Sequence, residues 1–419
     1  MARTPAQSQV RRIFLFVLCA ASVGSYIAVV TGAYRAQKLA DRSDQASLER
    51  AVALDPYNAG YHDLSCRNRM YLLQQARMAV EECEKASELN PYSSTIWLDL
   101  AQAYYLIGSK EQSSTAIYKA LAADPTTPNT IWSVANFLLA RGDTAEALRH
   151  FSLLLQKEPS LTSATLSVCW RSVHDVNQII DILPPNPSAY LEFIRLLHSA
   201  EDFESASQVW SSLMQLENNI DYQSYLFYID DLLQIHRVEL AAKAWSQLKE
   251  RSAQLRDYVR PGDLVTDGSF SREILNSGFD WRYNPKSQVV VVLDTAELHS
   301  GSRSLRLVYS GDGGDAGIFQ YIAVQPRSKY LLSAWVRSDD LTTANGPALA
   351  LIDAYSHNFL AGTQETVGTT AWHRVETEVT TGSEVQLLML SISRSPQQTS
   401  IRGTFWVDDV RLQPLPSTP

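Results

Sequence analysis

The 419-residue chain is poor in several of the features that usually betray an activity. It has four cysteines, Cys19, Cys66, Cys83 and Cys169, and no two form a CxxC pair, which excludes the common zinc and thioredoxin-type spacings. Basic residues are outnumbered, 36 Lys and Arg against 45 Asp and Glu, for a net charge of −9. Phosphate contacts demand a basic surface, so this balance argues against a nucleic-acid partner. No Gly-rich phosphate loop, GxSxG elbow or HExxH pair occurs, and the eight histidines are scattered. Carboxylates are plentiful, but nothing singles out a pair for glycoside hydrolysis. The sequence therefore reads as a non-enzyme. Hydrophobic content of 45% and charged content of 19% are those of folded protein, so wholesale disorder is excluded.

What is present begins with residues 13–34, IFLFVLCAASVGSYIAVVTGAY, an uncharged run long enough to cross a bilayer as a helix. Arg3, Arg11 and Arg12 precede it without an acidic residue, whereas Arg35, Lys38 and Arg42 follow it together with Asp41 and Asp44. The bias favours a cytoplasmic segment over 1–12, a transmembrane helix over 13–34, and a periplasmic or otherwise exported body of a single-pass inner-membrane protein. A cleaved signal peptide is the rival, with Thr31-Gly32-Ala33 as its cleavage site.

Residues 94–125 then read as two amphipathic helices broken at Gly108-Ser109-Lys110 and stopped by Asp124-Pro125. The stop recurs. Pro56, Pro91, Pro125 and Pro159 are 35, 34 and 34 residues apart. Trp97, Leu100, Ala101, Tyr104, Ile117, Ala120 and Pro125 resemble the tetratricopeptide pattern, and Ala79, Ala86, Pro91, Ala135, Ala147, Phe151 and Pro159 repeat it on either side. Residues 44–54 resemble a second helix whose first helix is missing. The pattern blurs over 160–183 and returns with Ala206 to Ala241 and Trp210 to Trp245, each 35 apart. The resemblance implies about six stacked hairpins over 44–255.

Counted on the repeat, Cys66 and Cys83 fall at positions facing one another across a hairpin. In an oxidising compartment they would form a disulfide; the alternative is two small buried apolar residues. Asn68, Tyr71, Gln102, Tyr105, Trp132 and Asn136 fall where such repeats line an inner groove, an amide–aromatic ladder able to hold an extended peptide of a protein partner. The alternative is a solvated face with partly buried rings. The basic residues that clamp a terminal carboxylate in related chaperone-binding repeats are missing here.

At Pro261-Gly262 the period changes from helical to alternating, and eight strand-like runs fill 288–413. LVTDGSFS…GFDWR, HSGSRSLRL, FQYIAVQPRSKYLLSAWVRS and GTFWVDDVRL resemble the jelly-roll carbohydrate-binding modules, from Leu264 to Leu412. The fold class expected is thus a transmembrane helix, an all-α tetratricopeptide-type superhelix, and an all-β jelly-roll sandwich over 262–415. Alternation puts Trp335 and Arg337 on one strand face, and Asp353 and Tyr355 on another. Together they offer a flat ring and planar polar groups for a sugar. The alternative for Trp335 is a core position. The resemblance also implies a structural calcium on Asp267 and Asp409, although Ser271 follows Phe270 where relatives carry glutamate. The combination suggests a membrane-anchored envelope scaffold that binds a protein partner and a polysaccharide, in exopolysaccharide or cell-surface assembly. The rival is a structural subunit of a membrane complex whose sandwich caps or docks without binding sugar.

Overall fold

The computed structural model describes residues 5–216, 221–256, 260, 262–285, 288–311 and 314–416, with side chains from residue 12 onward. Arg3 and the Arg11 side chain, on which the orientation bias leans, lie outside the described residues. The chain divides into two compact units, Met1–Leu196 and Leu197–Pro419.

The first unit opens with α1 (Pro5–Ala40), a helix long and apolar enough over Arg12–Ala40 to cross a membrane. It is followed by α2 (Gln45–Leu54), α3 (Ala59–Tyr71), α4 (Ala76–Leu89), α5 (Ser94–Leu106), α6 (Lys110–Ala123), α7 (Pro128–Arg141) and α8 (Thr144–Lys157). The shorter α9 (Thr162–Val173) and α10 (Val176–Ile180) correspond to the blurred stretch, and α11 (Pro187–Ser199) crosses the unit boundary. Alanines at the repeat positions (Ala79, Ala86, Ala101, Ala120, Ala135, Ala147) are fully buried, which lets the backbones approach closely. The Asp-Pro stops also build the turns. Asp124 accepts hydrogen bonds from the Thr127 N–H (3.1 Å) and the Thr130 hydroxyl (2.9 Å), tying the end of α6 to the start of α7.

One expectation needs correction. The first helix thought to be missing before α2 is supplied by the end of α1. Ala36 and Ala40 pack against Leu48, Ala51 and Tyr61, and the Tyr61 hydroxyl donates to Gln37 Oε1 at 3.2 Å. The apolar run and the first repeat share one unbroken helix, so no proline, glycine or turn separates them after Gly32.

The second unit holds α12 (Phe203–Leu213), α13 (Leu226–Gln234) and α14 (Val238–Arg251), then a β-sandwich. Its first sheet has the order β2 (Val289–Asp294), β3 (Ser304–Ser310), β10 (Ile401–Pro414), β5 (Lys329–Thr343), β8 (Gly368–Thr380). The second has the order β1 (Trp281–Tyr283), β4 (Ile318–Ala323), β9 (Leu387–Ser393), β6 (Ala348–Asp353), β7 (Phe359–Gly362). Every pairing is antiparallel. Leu305, Leu307, Leu332, Ala334, Leu349, Leu351, Leu390 and Phe405, all fully buried, fill the space between the sheets. All eight strand-like runs are strands; the very short β1 and β7 are additional.

Residues 197–256 group with the sandwich and not with the earlier hairpins. The reason is a dense contact. Asp230 on α13 accepts from the Gly278 N–H (2.8 Å), the Ser277 hydroxyl (2.6 Å) and the Arg282 guanidinium (2.5 Å). The Tyr355 hydroxyl donates to the Leu233 carbonyl at 2.9 Å, and its ring stacks on His236 at 3.7 Å. Gly278 has φ +58, and a Cβ there would come within 2.9 Å of the Trp245 ring, so glycine lets the loop close on α14.

Candidate functional site

On the second sheet, inward residues alternate with outward ones, and register aligns the outward residues across strands. Phe319 pairs with Ser391, Ser391 with Ala350, and Ala350 with Gly362. The next row runs Tyr321, Met389, Ile352, Phe359. Three small residues in one row make a floor; Met389, Ile352 and Phe359 beside it make a wall. The resulting trough has a volume of about 490 Å³ and carries Asp315, Glu365, Gln397, Ser391 and Ser393 among its polar groups. Phe359, 67% exposed, forms a rim. A Cβ at Gly362 would meet the Phe359 ring at 3.1 Å, so glycine there gives the ring room to lie across the sheet edge. Arg394 closes one end as a fixed post. It is buried and donates to the carbonyls of Asn345, Gly314 and Thr399 and to the hydroxyls of Thr343 and Thr399. Burial draws its pKa down from the ordinary arginine value.

The four residues expected to meet a sugar are not brought together. Trp335 and Arg337 lie on β5 in the first sheet, and Asp353 and Tyr355 at the end of β6 in the second. Trp335 does face outward, but one ring face is covered by His299, stacked at 3.9 Å. Arg337 is engaged by Glu297 at 2.6 Å and stacks over Trp406. Asp353 accepts from the Tyr355 N–H and the Ser356 hydroxyl, and Tyr355 belongs to the contact with α13. Trp281 is core, its indole N–H donating to the Asp267 carbonyl. Sequence alternation sorts residues by face within a strand; which strands are neighbours decides what converges, and that is set by topology.

The residues do not fit the calcium expected on Asp267 and Asp409. Asp267 accepts the N–H groups of Ser271 and Arg272 (both 3.0 Å) and the Ser271 hydroxyl (2.7 Å). Asp409 accepts from Arg260 (2.7 Å), His299 Nδ1 (2.8 Å) and the Ser300 hydroxyl (2.6 Å). Burial pushes the Asp409 carboxyl up, but those hydrogen bonds outweigh it and hold the group at about 2. His299, Asp408 and Asp409 offer ligand atoms within 4.8 Å of one another, but Asp408 already accepts the N–H groups of His299, Ser300 and Asp409. A guanidinium and an imidazole beside Asp409 are not a hard-oxygen cage. The ends of the sandwich are pinned by backbone bonds, Val410 N–H to Gly268 and Leu264 N–H to Leu412.

In the helical unit, Tyr71 is 58% exposed, while Gln102, Tyr105, Trp132 and Asn136 are half-buried. Tyr105 packs edge-on to Phe137, and Trp132 edge-on to Phe151. Asn68 is buried and donates to the Ser43 carbonyl at 2.8 Å, and Asn136 donates to the Trp132 carbonyl at 2.8 Å. The Asn68 amide ties α3 to the turn before α2, whereas the Asn136 bond lies within α7. The cysteines Cys66 and Cys83 are bonded to each other between α3 and α4, with Cα atoms 5.3 Å apart. Sequence reasoning missed a charged cluster on α3 and α5. Arg67 lies 2.5 Å from Asp63 and 3.4 Å from Asp99. Burial, then the nearby Asp63 charge, raises the Asp99 carboxyl.

Residues 262–396 match a family model described as a carbohydrate binding domain (CBM_4_9). No curated protein matches the chain. Among solved structures, a CBM4 structure is similar at 15% identity, covering 36% of this chain and 99% of the other, with a TM-score of 0.28. Yeast Tom70 is similar at 20% identity over 50% of this chain and 47% of its own, TM-score 0.30. PilW, a type IV pilus biogenesis factor, is similar at 17% identity over 47% and 96%, TM-score 0.26. The match to the carbohydrate-binding model thus falls on the β-sandwich that follows the helices.

Proposed function

We propose that this chain is a membrane-anchored envelope scaffold. It binds polysaccharide in the trough of the second sheet and a protein partner through its helical repeats, and it catalyses no reaction. The observation that carries the reading is the trough itself, within the segment that matches the carbohydrate-binding model. Phe319 and the exposed Phe359 supply flat apolar surface for the C–H face of a pyranose, and Glu365, Gln397 and Ser393 can meet its hydroxyl rim. The disulfide between α3 and α4 suits a body outside the cytosol. A role in exopolysaccharide or cell-surface assembly follows from joining a polysaccharide site to a repeat surface.

Affinity electrophoresis of the detergent-solubilised chain through gels containing neutral or acidic polysaccharides tests this. Retardation is expected on at least one polymer. Phe359→Ala should weaken it about 5- to 10-fold, the worth of one stacked ring of roughly 1–1.5 kcal/mol; Trp335→Ala should leave it unchanged. No retardation on any polymer would count against the reading. It would favour the structural one, which the docking of the sandwich on α13 and α14 supports: a module that caps the helices.

A further inference from the structure

We propose that the turns joining α2 to α3 and α4 to α5 rest in the headgroup layer of the bilayer, with Tyr57 and Tyr92 as interfacial anchors. This rests on the reading of α1 as a membrane helix. The direction of the chain supplies the geometry. Helix α1 leaves the bilayer and ends at Ala40; the turn at 41–44 reverses the chain into α2, and the turn at 55–58 reverses it again into α3. α3 thus runs the same way as α1, and the turn before it points back toward the membrane. The hydrogen bond from Tyr61 to Gln37 sets the level, because it puts the first turn of α3 beside residue 37. Tyr57 lies in the turn two residues before α3 begins, on the side of that first turn from which the chain rises. The uncharged run 13–34 ends three residues before Gln37, on the same side.

What the turns carry fits that level. Tyr57 is 83% exposed, Tyr92 86%, Leu54 49% and Tyr34 63%. At the equivalent position of the next two turns, after Pro125 and Pro159, stand Thr126 and Ser160. The aromatic ring is confined to the two turns nearest α1. A tyrosine in open water gains nothing from its ring, whereas at a membrane surface the ring enters the interface and the hydroxyl stays hydrated. The turns themselves carry no cation and are flanked by Asp55 and Glu88; the nearby cations belong to the helices, Arg35 and Lys38 to α1, Arg50 to α2 and Lys85, paired with Glu88, to α4. What the turns add is ring partition and not attraction to anionic lipid, so their depth should resist salt.

The test uses the full chain with Cys19→Ser, reconstituted in phosphatidylethanolamine–phosphatidylglycerol nanodiscs and nitroxide-labelled singly at Val23→Cys, Leu54→Cys, Tyr92→Cys or Lys110→Cys. Collision with oxygen and with a water-soluble nickel chelate reads depth. Val23 should report hydrocarbon, Lys110 water, and positions 54 and 92 intermediate depth at both low and high salt. Adding Tyr57→Ser and Tyr92→Ser to the Leu54 label should raise its nickel accessibility several-fold. If 54 and 92 are as wet as 110 while 23 is in hydrocarbon, the proposal is wrong and the anchor stands. If 23 is wet as well, the anchor reading itself fails and takes the proposal with it.

Discussion

Asp280 sits one residue before β1, where burial pushes its carboxyl up to about 7 against the lowering pull of the Leu275 and Trp281 N–H groups. Its Oδ1 has no hydrogen-bond partner among the described residues. A carboxyl that holds its proton more tightly folded than unfolded, where it titrates near ~4, makes the native state the better proton binder between the two values. Its contribution to stability is then full below ~4 and is lost as pH rises toward about 7. Asp99 in the helical unit adds a slope of the same sign. Urea unfolding of the wild type should weaken from about pH 5 to pH 7, and Asp280→Asn should remove up to ~1.4 kcal/mol per pH unit of that slope. A slope identical in the variant would mean that Asp280 is ionised when folded. Nothing in the sequence marks this aspartate among its neighbours; its chemistry comes from what is packed over it.

At the scale of elements, the bonded Cys66 and Cys83 close the hairpin of α3 and α4 across 17 residues. Cross-linking a loop of that size removes about 3 kcal/mol of chain entropy from the unfolded state. Cys66→Ala with Cys83→Ala should lose a comparable amount in urea unfolding, and reductant should destabilise the wild type but not the double variant. The pairing was legible because a repeat of ~34 residues gives each position a fixed partner across the hairpin. The trough was not. Phe319, Ser391, Ala350 and Gly362 lie on β4, β9, β6 and β7, and adjacent places in the sheet are far apart in the chain. Alternation put Asp353 and Tyr355 on the face of β6 that Leu349 and Leu351 share, and those two leucines are fully buried, so it pointed away from 348, 350 and 352. Only strand order says that β9 lies beside β6. Trp335 drew attention because tryptophan suits sugar, yet it stands on the other sheet, beside Arg374 of β8 and His299 of the loop between β2 and β3.

At the scale of the whole molecule, the sequence change at Pro261-Gly262 suggested a boundary there, whereas compactness divides the chain after Leu196. The difference lies in side chains that composition does not weigh, above all Asp230 and its three donors. Leaving those donors without their acceptor costs roughly 1–3 kcal/mol. Asp230→Ala should therefore speed hydrogen exchange over 276–283, with the strands of the sandwich core protected as before. Unchanged exchange in that loop would show that Trp245 and Tyr355 hold the docking without the carboxylate.

The unbroken passage of α1 into the first hairpin bears on orientation. A linker would let the hairpins swivel, but a continuous helix acts as a keyed shaft: each residue between Gly32 and Ala36 turns everything beyond it by about 100°. The compass bearing that the hairpin stack adopts around the axis of α1 is thus written in a count of residues, and a single insertion there would re-aim the whole face without touching one contact within it.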